Sequence, residues 1–212
     1  MTEAGAKAHS PSAALLDPRV KRTRESLRQA LLSHLGEQSF ETVSVHEIAE
    51  RAGVNRVTFY DHYTDKFALL GDIIGESFRE HLRVRSAAKP DGGCSLRPLV
   101  LAACDYLGML NQCCGPDHEP LFEPLLGSKV KALLRDLLQP GLEALQARDG
   151  KRLRLPPELG AVMAGGAIYG AVHAWAMGGA KPSFSAEQVA DRILPTIEAS
   201  LFAAPGEESA VL

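Results

Sequence analysis

The strongest constraint lies in residues 44–63, where two helix starts flank a single glycine. Ser44-Val45-His46-Glu47 fits a capping box, in which the serine satisfies an orphan amide and the glutamate reaches back to the cap. The helix starting there runs through Ile48, Ala49 and Ala52 to Gly53, which supplies the backbone freedom of a sharp turn. Asn55 then caps a third short helix over 56–63. Two short helices joined by a tight glycine turn form a helix-turn-helix. Upstream, Thr23, Leu27, Ala30, Leu31, His34 and Leu35 recur at three and four, predicting a first helix over 19–35 that Gly36 stops.

The third helix of this motif decides what it can do. At about 100° per residue, Phe59 and Tyr63 share a face that packs on the first two helices. Val57, Thr58 and Asp61 point the opposite way, and Tyr60 and His62 flank them. That pattern suits a major groove, with the centre on base edges and the flanks on the phosphate walls. Val57 or the Thr58 methyl can meet a thymine methyl, and Arg56 can reach a guanine. Asp61 either accepts from a cytosine amine or repels other sequences. Lys66 stands in the first turn of a fourth helix capped by Thr64, where a cation opposes the helix dipole and an incoming phosphate would reverse the sign.

Net charge bounds the DNA-binding surface. The chain carries 23 Lys and Arg against 26 Asp and Glu, so any nucleic-acid contact has to come from a local patch. Arg19, Lys21, Arg22, Arg24 and Arg28 supply one, which is equally an ordinary solvated helix face.

The remaining chain reads as helical, with no strand alternation, repeat or phosphate loop. The fourth helix, with Phe67, Leu70, Ile73, Ile74 and Phe78, runs to about residue 85. After the break at 87–93, helices are expected at 95–112, 119–127, 128–146 with a bend near Pro140, 157–177 and 185–202. The segment 159–180 is long enough to span a bilayer, but its Gly and Ala content suits a helix buried all round in a protein core. No membrane association is expected. The predicted fold class is all-α: a mobile tail over 1–18, a three-helix DNA-binding domain over 19–66, a helical ligand-binding and dimerisation domain over 67–203, and a tail over 204–212.

Residues 42–63, followed by Asp65-Lys66 and Leu69-Leu70, resemble the DNA-binding signature of the TetR family. The Ile-Ala-x-x-Ala-Gly-Val segment, the Thr-Phe-Tyr-x-His-Tyr segment and the lysine are in register, and the likeness covers about 24–74. The resemblance implies that Thr58, Tyr60, His62 and Lys66 contact DNA, Tyr60 and Lys66 largely through phosphate, and that Arg56 and Val57 face bases. The caps Ser44 and Asn55 join them as candidate DNA-binding residues. It further implies a cytoplasmic transcriptional regulator, a repressor by default. Such a regulator is a homodimer on a pseudo-palindromic double-stranded operator, released by a small, mainly apolar ligand. Pro182-Ser183-Phe184-Ser185 and the amphipathic Val189, Ile193, Ile197 and Leu201 resemble the family's last loop and helix, which with the Gly/Ala-rich helix would form the dimer bundle.

By position and character, Cys104, Tyr106, Met109, Phe122, Tyr169 and Trp175 are the candidate ligand pocket, although residues of these types are more often plain core. The cysteines leave two other readings open. Cys104, Cys113 and Cys114 could form a thiol redox sensor, although adjacent cysteines bridge poorly and free cysteine is usually a small apolar core residue. A small helical enzyme would use Cys113 or Cys114 with His118 or His173 as base, but no local signature supports it. Four cysteines without CxxC spacing, and His118 between Asp117 and Glu119 in a loop, predict neither a metal site nor a disulfide framework. No cofactor is expected.

Overall fold

The computed structural model describes residues 17–88, 96–114, 122–148, 153–177 and 184–203. Among them are eight helices: α1 (Pro18–Leu35), α2 (Val45–Arg51), α3 (Arg56–His62), α4 (Lys66–Ala88), α5 (Arg97–Cys114), α6 (Phe122–Arg148), α7 (Pro157–Met177) and α8 (Ala186–Leu201). No strand occurs among the described residues, only an isolated bridge between Leu153 and Phe202. The fold is all-α. It divides into two compact units, Met1–Ile73 and Ile74–Leu212, and α4 contributes residues to both.

In the first unit the local chemistry sets the helix ends. Asp17 caps α1 by accepting from Arg19 N at 2.8 Å, with Pro18 in the first turn where its missing N–H costs nothing. At Ser44 both halves of the capping box are formed. Gly53 adopts a φ of 69°, the only positive φ among the described residues, so a side chain there would be strained. Asn55 caps α3 through Thr58 N at 2.7 Å. The fourth helix is capped by Asp65, which accepts from Ala68 N at 2.7 Å, in place of the expected Thr64. Leu27, Leu31, Val43, Ile48, Phe59, Leu69 and Leu70 fill the core. Its edges are tied by Arg51, bidentate on Glu37 at 2.7 and 2.8 Å, and by Arg28 on Asp72 at 2.9 Å. Asp72 also accepts from the Tyr63 hydroxyl, so the first turns of α4 are part of this unit.

In the second unit α7 packs on α5, α6 and α8. Gly160 and Gly165 make the close approach possible: a Cβ at Gly165 would lie 3.2 Å from Leu134 Cβ and 3.4 Å from Arg135 N. Residues 119–127 and 128–146, expected as two helices, lie in one helix, α6, from Phe122 onward. Gly127-Ser128 resembles a stop followed by a cap, yet Gly127 is buried within the helix, 2.9 Å in Cβ terms from the Tyr169 hydroxyl, so its role is packing. The expectation that the Gly/Ala-rich helix is buried all round also fails within a single chain. Leu159 and Val162 are 57% and 55% exposed, and Ala167, Gly170 and Ala174 continue an exposed apolar stripe. This is the one helix among the described residues that is long and apolar enough to cross a membrane.

Candidate nucleic-acid interface

α3 is a two-turn helix whose buried side is anchored by Phe59 and Tyr63. Phe59 packs edge-to-face against Tyr60 at 5.5 Å and contacts Tyr63 at 6.0 Å. The outward side carries Arg56, Val57, Tyr60 and Asp61, with Thr58 and His62 half-exposed at its flanks. Val57 is 69% exposed and Tyr60 50%, an apolar pair that gains little in water and much against base edges and sugars. The helix is rigid because each end is held: Asn55 at its start, and Tyr63 to Asp72 at its close. Burial pushes the Tyr63 phenol well above its ordinary range, so it stays a donor to the Asp72 carboxylate.

The structure separates the expected contacts into two groups. Arg56, Val57, Thr58, Tyr60 and His62 share one exposed surface on α3. Ser44 spends its hydroxyl inside the capping box, accepting from Glu47 N at 3.2 Å and donating to Glu47 Oε2 at 2.6 Å. Asn55 spends its carbonyl oxygen on the cap and keeps its amide N–H groups. Lys66 meets partners within the protein. Its ammonium donates to the carbonyls of Phe40, Glu41 and Val43, each at 2.8 Å, and sits 4.8 Å from the Phe40 ring centroid. A lysine ammonium has three N–H donors, and all three are occupied here. The loop before α2 turns its carbonyls toward the start of α4, so the cation expected at a phosphate bridges two parts of the fold.

Arg24, on α1, occupies a position the third-helix pattern does not reveal. Its guanidinium lies 5.4 Å from the Tyr63 ring centroid, with its Nε buried and without a hydrogen-bond partner. His62 is held below the usual imidazole range by burial and then by the Arg24 charge, against an opposing pull from Asp61. The only sequence signal for Arg24 is its membership of the basic run of α1.

Of the candidate pocket residues, Tyr106 and Cys104 lie on different sides of α5. Tyr106 is buried against Phe78 at 5.9 Å and His81 at 5.7 Å. Cys104 is buried about 200° around α5 from Tyr106, by helix geometry. Met109 is half-buried, Tyr169 stacks on His173 at 5.3 Å, and Trp175 donates to the Phe184 carbonyl at 2.9 Å. The Phe122 side chain lies outside the described residues, as do those of Cys94, Cys113, Cys114 and His118. Burial pushes the Cys104 thiol up to about 12, which keeps it a thiol and removes the thiolate that oxidation needs.

Residues 28–73 match the family described as "Bacterial regulatory proteins, tetR family". Over 76 residues the chain is 40% identical to YxbF, an uncharacterized HTH-type transcriptional regulator of Bacillus subtilis (strain 168). The match takes in 34% of this chain, which spans about a fifth (20%) of the length of that relative. The fold resembles that of FadR from Thermus thermophilus, a TetR-family transcriptional repressor solved in complex with lauroyl-CoA. The TM-score is 0.55 at 21% identity, covering 89% of this chain and 100% of that one. A TetR-family regulator from Streptomyces coelicolor A3 has a TM-score of 0.55 at 20% identity, covering 87% and 97%.

Proposed function

We propose that this chain, which matches the tetR family of bacterial regulatory proteins at residues 28–73, is a member of that family and a DNA-binding transcriptional regulator released by a small ligand. The observation that carries the reading is the outward face of α3. Arg56, exposed Val57 and exposed Tyr60 stand together on a short helix locked at both ends. Arg56 and Val57 read base edges, Thr58 and the free amide of Asn55 reach the groove wall, and Tyr60 and His62 meet phosphate. Repression follows from occlusion of a promoter in the cytoplasm.

A two-turn helix reads too few bases alone, so the acting species is a homodimer on a pseudo-palindrome. The exposed stripe of Leu159, Val162, Ala167, Gly170 and Ala174 on α7 is the surface we assign to the partner copy. Neither Gly166 nor Gly170 has an atom within 4 Å of the position a Cβ would take, as expected where a second backbone approaches. The ligand is mainly apolar and binds the body, with Met109, Tyr169 and Trp175 keeping their place as candidate lining. Release acts through α4, which holds Asp72 of the first unit and, through Arg85, the Asp105 and Glu187 carboxylates of the second. A shift of that helix changes the spacing of two recognition helices that have to match successive grooves.

Selection of duplexes from a random-sequence pool, followed by footprinting, tests the reading. The expected result is a two-fold related pair of protected half-sites. Selection of no preferred sequence, or protection of one asymmetric half-site by a monomer, overturns it. Titrating lauroyl-CoA, the ligand of the Thermus thermophilus neighbour, into the selected complex is the first test of release.

A further inference from the structure

Two cations stand near the recognition helix, and they are in opposite states. Lys66 has its three donors on the carbonyls of Phe40, Glu41 and Val43 and has none left for a phosphate. Arg24 has no ion pair among the described residues. Asp72, the carboxylate that holds Tyr63, is taken by Arg28 at 2.9 and 3.1 Å and by the Tyr63 hydroxyl. Arg24 is half-buried, its guanidinium carbon 5.4 Å from the Tyr63 ring centroid, with an Nε that is buried and without a hydrogen-bond partner. A buried guanidinium N–H left without an acceptor costs free energy that a partner oriented by the rest of the group can offset.

We infer that Arg24 is the phosphate-binding cation of the DNA surface, held at the carboxyl end of the recognition helix. It takes the role the sequence pattern gives to Lys66. The inference rests on the DNA-binding reading above and adds to it a residue from outside the helix-turn-helix. Tyr63 holds the guanidinium by a cation–π contact at 5.4 Å, leaving the two Nη groups to grip phosphate oxygens as a fork. His62, the residue before Tyr63, stands on the flank assigned to the phosphate wall. Lys66 becomes a positioning residue that ties the loop before α2 to the start of α4.

Phosphate contacts are independent of sequence, so a random-sequence duplex longer than two half-sites is a sufficient probe. Log affinity is measured against log salt for the parent, Arg24→Gln, Arg24→Lys and Lys66→Met, each checked for its unfolding midpoint. Arg24→Gln is expected to flatten the slope by about 0.9 per protomer, while Arg24→Lys and Lys66→Met keep the parental slope. A folded Arg24→Gln with the parental slope, or an Arg24→Lys that loses as much slope as Arg24→Gln, overturns the inference. The second measurement needs no variant: phenylglyoxal modification of Arg24 in the parent should be suppressed by the duplex at low salt and restored at high salt. Equal modification with and without duplex overturns it. If the parent itself shows no salt-dependent binding to duplex, the DNA-binding reading falls and takes this inference with it, an outcome distinct from either variant result.

Discussion

Replacing Lys66 with methionine keeps the length and apolar stem of the side chain and removes its charge and three donors. Two of the three acceptors, the carbonyls of Phe40 and Val43, are part-buried, and the third, that of Glu41, is exposed. A hydrogen bond to a charged group contributes about 1.5–3 kcal/mol, and water recovers most of it where the acceptor is exposed. Taking the low end for the two part-buried bonds gives about 3 kcal/mol. The contact with the Phe40 ring at 4.8 Å adds about 0.5 kcal/mol at a site still partly wet. Against this, methionine recovers about 1 kcal/mol through a cheaper, fully apolar contact with Phe40 and Phe67. The net expectation is a loss of about 2–3 kcal/mol, confined to the first unit. Because the chain has two compact units, a single melting midpoint would blur the effect. Amide hydrogen exchange across residues 40–63 under native conditions reads it directly, with the α7 amides as internal control. Exchange free energies within about 0.5 kcal/mol of the parent would refute the carbonyl cage, and with it the argument that Lys66 is spent.

Three further outcomes follow from the same geometry. His62 has a lowered folded pKa, so stability falls as pH drops through its unfolded value near 6.5. A phosphate beside it restores the charged form, so DNA affinity should rise as pH falls there, by at most about tenfold per pH unit per site, with Arg24 and Asp61 as the opposing neighbours. His62→Gln should flatten that profile in a binding series, and an unchanged profile would take His62 off the phosphate wall. Gly165→Ala should destabilise by about 1–3 kcal/mol in urea unfolding because its Cβ meets Leu134 Cβ and the Arg135 backbone. Gly170→Leu, on the open stripe, should leave the fold intact and weaken the dimer in light scattering, and unchanged association would place the partner elsewhere.

The helix-turn-helix was legible because its determinants are local. A capping box, a glycine at φ 69° and an asparagine cap act over a few residues of chain, so the pattern of Ser44, Glu47, Gly53 and Asn55 carries the backbone path with it. The division of α3 into buried Phe59 and Tyr63 and outward Val57 and Tyr60 follows from helix periodicity alone. Roles that depend on a distant partner were not legible. A lysine in a first turn looks like an anion site until three carbonyls from residues 40–43 arrive, and nothing near Lys66 in sequence announces them. Gly127 reads as a stop until Tyr169 fills the space its missing side chain leaves. The Gly/Ala-rich helix reads as buried all round, yet only the fold separates Gly160 and Gly165, pressed against α6 and α8, from Gly166 and Gly170, which face open space. Local sequence sets dihedral angles and caps. Which donor meets which acceptor, and which small residue touches a neighbour, is decided by packing between segments far apart in the chain.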